Sequence, residues 1–100
     1  MSQTGDAVQE RIKTQKQQPI LYKVVLLNDD YTTMEFVVDA LMSVFQRSPA
    51  EAYQIMMHVH TTGRGIAGVY PWEVAETKTD TVIARAREAG YPLQAVTEEA

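Results

Sequence analysis

Apolar residues fall into short blocks along the chain, and the spacing within each block predicts its secondary structure. The block Leu21–Leu27 is rich in β-branched and aromatic residues and predicts a buried strand. Apolar residues over 34–46 recur at helical spacing on more than one stripe, which predicts a helix covered on two sides. Ser48 followed by a proline and, three residues after the serine, a glutamate predicts a second helix over 49–60.

The second half of the chain continues the alternation of helix and strand. A glycine-rich turn ends the second helix, and residues 66–70 predict a short strand with Gly68 at a bulge or a close approach. A third helix begins at 71–73 and ends before Gly90, and 93–97 predicts a last strand. The order β-α-α-β-α-β predicts an α/β (α+β) fold, in which a small three-stranded antiparallel sheet is covered by three helices.

Composition narrows the class of protein. A chain of 100 residues with 45% hydrophobic residues is typical of one globular domain. Residues 1–19 are polar, so we expect a flexible N-terminal extension before a core domain over 20–100. A net charge of −4 does not favour nucleic acid, and the lack of cysteine excludes disulfides and thiolate zinc sites. No apolar run suits a membrane span or a signal peptide, so we expect a cytoplasmic protein with no membrane partner.

Three short polar side chains, Asn28, Asp29 and Asp30, stand where the first strand ends and the first helix begins. Thr32 and Glu35, which follow, are spaced as a capping box. The plainest interpretation is a turn, because Asn and Asp side chains bond to nearby backbone and end strands. The position also suits a binding site, since exposed backbone held at both ends commonly carries functional groups.

Other motifs in the chain point to different chemistry. Residues 63–68 match the GxGxxG fingerprint of dinucleotide-binding proteins, but a predicted helix precedes them and a strand follows, the reverse of what that motif needs. His58, His60 and the two aspartates have the ligand types of a zinc site, although residues two apart on a helix point in different directions. A hydrolase has less support, because the aspartates are adjacent rather than facing and no nucleophile motif is present.

The same polar groups also form a set of hydrogen-bond acceptors. The Asn28 side-chain oxygen, the aspartate carboxylates and a neutral His60 ring nitrogen can each accept from an ammonium group. Four nearby apolar residues could line a pocket for the side chain attached to that ammonium, although the pattern alone favours ordinary core positions for them. These residues are Met34, Val37, Met56 and Val59.

Four blocks of the sequence resemble the ClpS adaptor family. The blocks are 22–37 (YKVVLLNDDYTTMEFV), 59–65 (VHTTGRG), 68–70 (GVY) and 73–78 (EVAETK). The resemblance covers about Leu21 to the C-terminus. It implies a non-enzymatic adaptor of the bacterial N-degron (N-end rule) pathway. Such adaptors bind proteins whose first residue is Leu, Phe, Tyr or Trp, and deliver them to the N-terminal domain of the ClpA-type AAA+ unfoldase of the ClpAP protease.

The resemblance also implies roles for individual residues, with no cofactor and no metal. The α-amino group of the substrate would be held by Asn28, Asp29, Asp30 and His60. The apolar pocket would be formed by Leu26, Thr32, Met34, Val37, Met56, Val59 and Leu93. Met34 stands at the family's gate position, where a long side chain excludes β-branched first residues. The unfoldase would contact Glu73, Thr77 and Lys78.

Two positions depart from the family's pattern, and two other classes of protein stay open. Thr33 stands where the family usually has proline, and His58 is an additional histidine that we expect near the pocket. Either could change the preference among first residues. The alternatives are a metal-binding protein or enzyme that uses the cluster of Asp29, Asp30 and His60, and an interaction domain resembling the C-terminal domain of the ribosomal stalk protein.

Overall fold

A computed structural model describes residues 20–100, so the predicted extension over 1–19 lies outside the described residues. The described chain contains the predicted elements in the predicted order. They are strand β1 (Leu21–Leu27), helix α1 (Met34–Ser43), helix α2 (Pro49–Thr62), strand β2 (Arg64–Pro71), helix α3 (Trp72–Glu88) and strand β3 (Gln94–Glu99). The three strands form one antiparallel sheet, which confirms the α/β (α+β) fold class.

Strand β1 lies at the centre of the sheet, between β2 and β3. Alternate side chains of a strand point to the same face, so Val24 and Leu26 share one face of β1. Both are fully buried in a core to which all three helices contribute. Val24 pairs with Gly68 and Val25 with Ile66, so one extra residue of β2 forms a bulge beside Gly68. A β-carbon at Gly68 would also lie 2.6 Å from Cε2 of Tyr70, so the bulge and the close approach expected there are both present.

Helix α1 begins at Met34, as predicted, but ends earlier than predicted. Its N-cap is Thr33, whose hydroxyl accepts a hydrogen bond from the Phe36 N–H at 3.1 Å. The predicted capping box between Thr32 and Glu35 is wrong, because the Thr32 hydroxyl donates to Asp29 Oδ2 at 2.7 Å instead. The helix ends at Ser43 rather than at residue 46, and the chain then turns through a left-handed Gln46 (φ 52°).

Helix α1 is covered on one side only, which corrects the expectation of cover on two sides. Its inner stripe of Val37, Ala40 and Leu41 is buried. On the outer stripe, Met34 is 44% exposed and Met42 is 38% exposed. Nothing within residues 20–100 packs over these two methionines well enough to exclude water.

Helix α2 has the cap that the sequence predicts. The Glu51 N–H donates to Ser48 Oγ at 3.2 Å, and the Ser48 N–H donates to Glu51 Oε1 at 2.9 Å. The Ser48 backbone N–H and the Ser48 hydroxyl, aided by the charge of Arg47, lower the pKa of the Glu51 carboxyl against an opposing effect of burial. The helix runs two residues past the predicted end, to Thr62, and Gly63 ends it in the left-handed conformation (φ 95°).

Helix α3 and strand β3 close the sheet. Ala75, Val82 and Ala86 of α3 are fully buried in the core. The Thr79 and Thr97 hydroxyls hydrogen-bond to each other at 2.8 Å and so join α3 to β3. The strand occupies 94–99 rather than the predicted 93–97. Within residues 20–100, no helix combines the length and hydrophobicity needed to cross a bilayer.

Candidate functional site: a pocket lined with hydrogen-bond acceptors

One backbone hydrogen bond joins the end of β1 to the end of α2. The Asn28 N–H donates to the Gly63 carbonyl at 2.9 Å. Gly63 is free to make this contact because its left-handed φ of 95° turns the chain back after the helix. The turn after β1 therefore lies beside the last turn of α2, which brings His60 to the same place as the polar run that begins with Asn28.

A pocket of about 390 Å³ opens between this turn, α1 and α2. Its lining consists of the turn residues, the first turn of α1 and one face of α2. The lining residues are Asn28, Asp29, Asp30, Tyr31, Thr32, Thr33, Met34, Val37, Met56, Val59 and His60. Nine of the eleven residues that the family resemblance assigns to substrate binding are thus together at one pocket.

Asp29 holds the turn in shape. Its Oδ1 accepts hydrogen bonds from the N–H groups of Tyr31 at 2.8 Å and Thr32 at 2.7 Å, and its Oδ2 accepts from the Thr32 hydroxyl at 2.7 Å. Burial raises the pKa of the Asp29 carboxyl, but the hydrogen bonds from Thr32 and Tyr31, with the charge of Arg87, outweigh it and leave the pKa below 3.8. Both oxygens of this carboxylate are therefore already engaged within the turn.

The other acceptors at the pocket are available to a ligand. Asn28, Asp30 and His60 are exposed to solvent and line the pocket together. Within residues 20–100, the Asp29 side chain accepts hydrogen bonds, whereas the side chains of Asn28, Asp30 and His60 make none. An amide oxygen, a carboxylate and an imidazole nitrogen thus face one opening, and all three can accept from a donor that enters it.

The inner wall of the pocket is apolar. Val37, Met56 and Val59 are each at most 6% exposed and belong to the hydrophobic core. Met34, by contrast, is largely exposed and lies at the first residue of α1, beside the polar turn. The arrangement offers acceptors at the opening, an apolar surface behind them, and one movable methionine between the pocket and solvent.

Two residues assigned to the pocket by resemblance lie deeper. Leu26 and Leu93 are at most 1% exposed and are not among the residues that line the pocket. Both belong to the core cluster that also contains Met56 and Val59. They support the pocket wall from behind, since side chains that are fully enclosed by the core have no surface left for a ligand.

His58 is not near this pocket, which corrects the expectation for that residue. It lines a separate hollow of about 450 Å³ together with Lys23 and Arg64. Residues two apart on a helix are separated by roughly 200° around its axis, so His58 and His60 face different sides of α2. In the described part of the chain, no three His, Cys, Asp or Glu side chains are arranged to hold a metal ion.

Tyr31 also lines the pocket, and the sequence analysis missed it. Its position in the short loop between the acidic residues and α1 was the only available signal. Thr33, which the sequence analysis named as able to change the preference among first residues, lines the pocket as well. Thr33, at the position of the family's proline, serves as the N-cap of α1.

The residues assigned to the unfoldase lie on α3, away from the pocket. Glu73 and Thr77 are exposed and one helical turn apart, so they share a face. Lys78 is partly buried. Its ammonium donates to the Val44 carbonyl at 2.5 Å and to Gln46 Oε1 at 2.9 Å, and lies 5.3 Å from the centre of the Tyr70 ring. These contacts hold the lysine in one orientation.

Comparisons of the sequence with known proteins all identify the same family. The family model described as "ATP-dependent Clp protease adaptor protein ClpS" matches residues 17–96. A curated Clp protease adapter protein ClpS from Maricaulis maris is 53% identical over 96 residues, which are 96% of this chain and 86% of that protein. The corresponding protein of Wolinella succinogenes is 51% identical over 82% of this chain and 80% of its own length.

One solved structure is similar to this chain in both fold and sequence. It is that of Agrobacterium tumefaciens ClpS2 bound to L-phenylalaninamide, with a TM-score of 0.79 and 43% sequence identity. The match covers 82% of this chain and 99% of that one. The ligand of that protein carries a free α-amino group and an aromatic side chain.

Proposed function

Because the chain belongs to the ClpS family of ATP-dependent Clp protease adaptors, we propose that its pocket binds the first residue of N-degron proteins. The family is one of adaptors, so the protein is a protease adaptor and not an enzyme. The substrate would present a free α-amino group and a bulky apolar first side chain, Leu, Phe, Tyr or Trp. The bound protein would then be delivered to a ClpA-type AAA+ unfoldase in the bacterial cytoplasm.

The observation that carries this proposal is the pairing of free acceptors with a buried apolar wall. An ammonium group has three N–H donors and no acceptor. Asn28, Asp30 and a neutral His60 can take one donor each, because all three are exposed at one opening. Asp29 contributes its negative charge at the same site and holds the turn from which Asn28 and Asp30 project.

A free N-terminus would be preferred over an acetylated one because only the free ammonium can donate a hydrogen bond to each acceptor. An acetylated N-terminus has one amide N–H instead of three ammonium donors, so most of the acceptors would stay unpaired. An internal leucine or phenylalanine has the side chain but not the ammonium. Burial of that side chain against Val37, Met56 and Val59 would supply about 2–3 kcal/mol without distinguishing the two cases.

Met34 accounts for a preference for unbranched first residues. Its side chain lies at the mouth of the pocket, where a β-branched side chain would need more width next to the backbone. Leucine and the aromatic residues branch further from the backbone and would pass it. Thr32, whose hydroxyl is held by Asp29, gives the pocket rim a fixed shape.

For delivery, we assign the unfoldase contact to the face of α3 that carries Glu73, Thr77 and Lys78. The face is on a different helix from the pocket, so both could be occupied together. Lys78 is already fixed by Val44 and Gln46, which lowers the entropy cost of using it in an interface.

A peptide series tests the proposal directly. A fluorescent peptide that begins with Phe is compared with its N-acetylated form and with a form that begins with Ala, by anisotropy. We expect micromolar or tighter binding of the first peptide alone. Equal affinity for the free and acetylated peptides would refute the amine site.

For delivery, a Glu73→Ala/Thr77→Ala variant should bind peptide normally and no longer bind the isolated unfoldase N-terminal domain.

A further inference from the structure

An apolar groove on the outer surface of α1 begins where the pocket ends. The groove has a volume of about 420 Å³. Its apolar lining comes from α1 and α2 and consists of Met34, Val38, Met42, Tyr53 and Met56. Met34 and Met56 line both the pocket and the groove, so the two form one continuous surface.

We propose that this groove binds an apolar side chain at the third position of the substrate, downstream of the first residue in the pocket. The inference rests on the proposed function, because it needs a peptide whose first residue is fixed beside Met34. It adds a specificity-determining site to that function, formed by Val38, Met42 and Tyr53.

The spacing of the groove matches an extended peptide. Met34, Val38 and Met42 are four residues apart on α1 and form one stripe about 12 Å long. An extended chain advances about 3.3 Å per residue and alternates its side chains between two sides. With the first side chain in the pocket, the third would point to the same side about 7 Å further on, close to Val38.

Exposure indicates that nothing within residues 20–100 covers the groove. Met34 is 44%, Met42 38% and Tyr53 57% exposed, whereas residues on the inner side of α1 are buried. Apolar side chains grouped in this way at the edge of a binding site are typical of a contact surface. Methionine is flexible and suits a groove that must accept side chains of several shapes.

Charge favours a substrate chain over a second copy of this protein. Glu35 and Asp39 flank the groove, and within the described residues neither the groove nor the pocket is lined by lysine or arginine. A peptide whose first group is an ammonium is attracted to such a surface. Two copies of this chain, each with a net charge of −4, would instead bring these acidic grooves together.

The test compares peptides that begin Phe-Ala-Leu and Phe-Ala-Ala and are otherwise identical. Binding is measured by anisotropy with the wild-type protein and with the Met42→Gln and Tyr53→Gln variants. A half-buried leucine should give roughly three- to tenfold tighter binding to the wild type. Both variants should remove that advantage and leave the affinity for Phe-Ala-Ala within about twofold, since neither residue lines the pocket.

Ile66→Gln is the matched control, because Ile66 is exposed to a similar extent but lies on β2, outside the groove. It should keep the preference for Leu at position three. Equal affinity of the two peptides for the wild type, or a preference that survives both groove variants, would overturn the inference. Loss of a concentration-dependent dimer in the variants, with no effect on peptides, would overturn it in favour of self-association. Failure of every Phe-initiated peptide to bind would instead refute the proposed function.

Discussion

Replacing Asp29 separates two ways in which a carboxylate can serve this site. Asp29→Ala removes three hydrogen bonds from the turn that carries Asn28 and Asp30. A hydrogen bond to a charged group contributes about 1.5–3 kcal/mol when buried, but this carboxylate is partly exposed and its bonds share one group. We therefore expect the free energy of unfolding to fall by about 1–2 kcal/mol in total.

Asp29→Asn removes the negative charge but can keep the hydrogen bonds of the turn, so its comparison with Asp29→Ala separates the two contributions. The asparagine Oδ1 can still accept from the backbone N–H groups of Tyr31 and Thr32, and its NH₂ group can donate to the Thr32 hydroxyl. We expect a loss of stability below about 0.5 kcal/mol and a modest loss of peptide binding. Asp30→Asn should cost more in binding than Asp29→Asn, because the Asp30 carboxylate is the one that is free to accept from the ammonium.

Urea unfolding and peptide anisotropy on the same samples measure both effects. The only tryptophan, Trp72, stacks edge-on against Tyr22 at a centroid distance of 5.0 Å and can report unfolding. The urea midpoint should fall for Asp29→Ala with an unchanged slope. If Asp29→Ala is as stable as the wild type, the turn does not depend on these bonds. If Asp29→Asn binds worse than Asp30→Asn, Asp29 contacts the ammonium directly.

The pH dependence of stability gives the same hypothesis an independent test. The folded-state pKa of Asp29 lies below the ordinary 3.8. A depressed carboxyl pKa contributes stability that is fully present above the unfolded value and is lost as pH falls through the folded value. The difference in unfolding free energy between the wild type and Asp29→Ala should therefore be constant near neutrality and shrink below about pH 4. A difference that stays constant to about pH 2 would contradict this reasoning.

Four further predictions follow from the site and the sheet. His60→Ala and Asp30→Ala should each weaken binding of a Phe-initiated peptide by more than about 1 kcal/mol, with little change in the urea midpoint because both side chains are exposed. Met34→Ala should allow peptides that begin with Ile or Val to bind, as measured by competition. Peptide affinity should fall as the pH rises from about 7 to about 9, since the α-amino group of the peptide loses its charge and one of its donors. Gly68→Ala should lower stability by about 1–3 kcal/mol, because the new methyl group would displace the Tyr70 ring.

Each of these predictions has an outcome that contradicts it. Normal binding by either alanine variant would remove that residue from the amine site. Unchanged discrimination against Ile and Val would remove Met34 from the gate. Constant affinity over that pH range would show that a charged amine is not required. For the bulge, Val69→Ala at the neighbouring exposed position controls for a general effect of substitution in β2, and equal stability of Gly68→Ala and the wild type would contradict the predicted clash.

Local signals in the sequence predicted the elements well because their causes lie within a few residues. The cap of α2 depends on Ser48 and Glu51 alone, so the sequence contains all that is needed to predict it. The cap of α1 was harder to predict, because two adjacent threonines can each serve. Asp29 decides between them by engaging the Thr32 hydroxyl, which leaves Thr33 for the helix.

The depth and outline of the pocket depend on packing between distant parts of the chain. The resemblance assigned Leu26 and Leu93 to the pocket. Only the packing of the core shows that both are enclosed behind the pocket wall. The exposed outer stripe of α1 could not be predicted either, because apolar spacing does not tell how many neighbours a helix has. Asn28 and His60 were proposed as acceptors for one ammonium from their chemistry and from the family resemblance. No local pattern could show that they lie at one pocket, since that depends on how the turn meets α2.

The hydrogen bond from the Asn28 amide to the Gly63 carbonyl makes this amide a natural reporter of the site. Separation of the strand end from the helix end would expose its proton to exchange with deuterium, even if the sheet stayed intact. Its exchange rate, read from a single NMR resonance, should therefore slow when a ligand bridges the two elements, and should show whether the pocket opens independently of global unfolding.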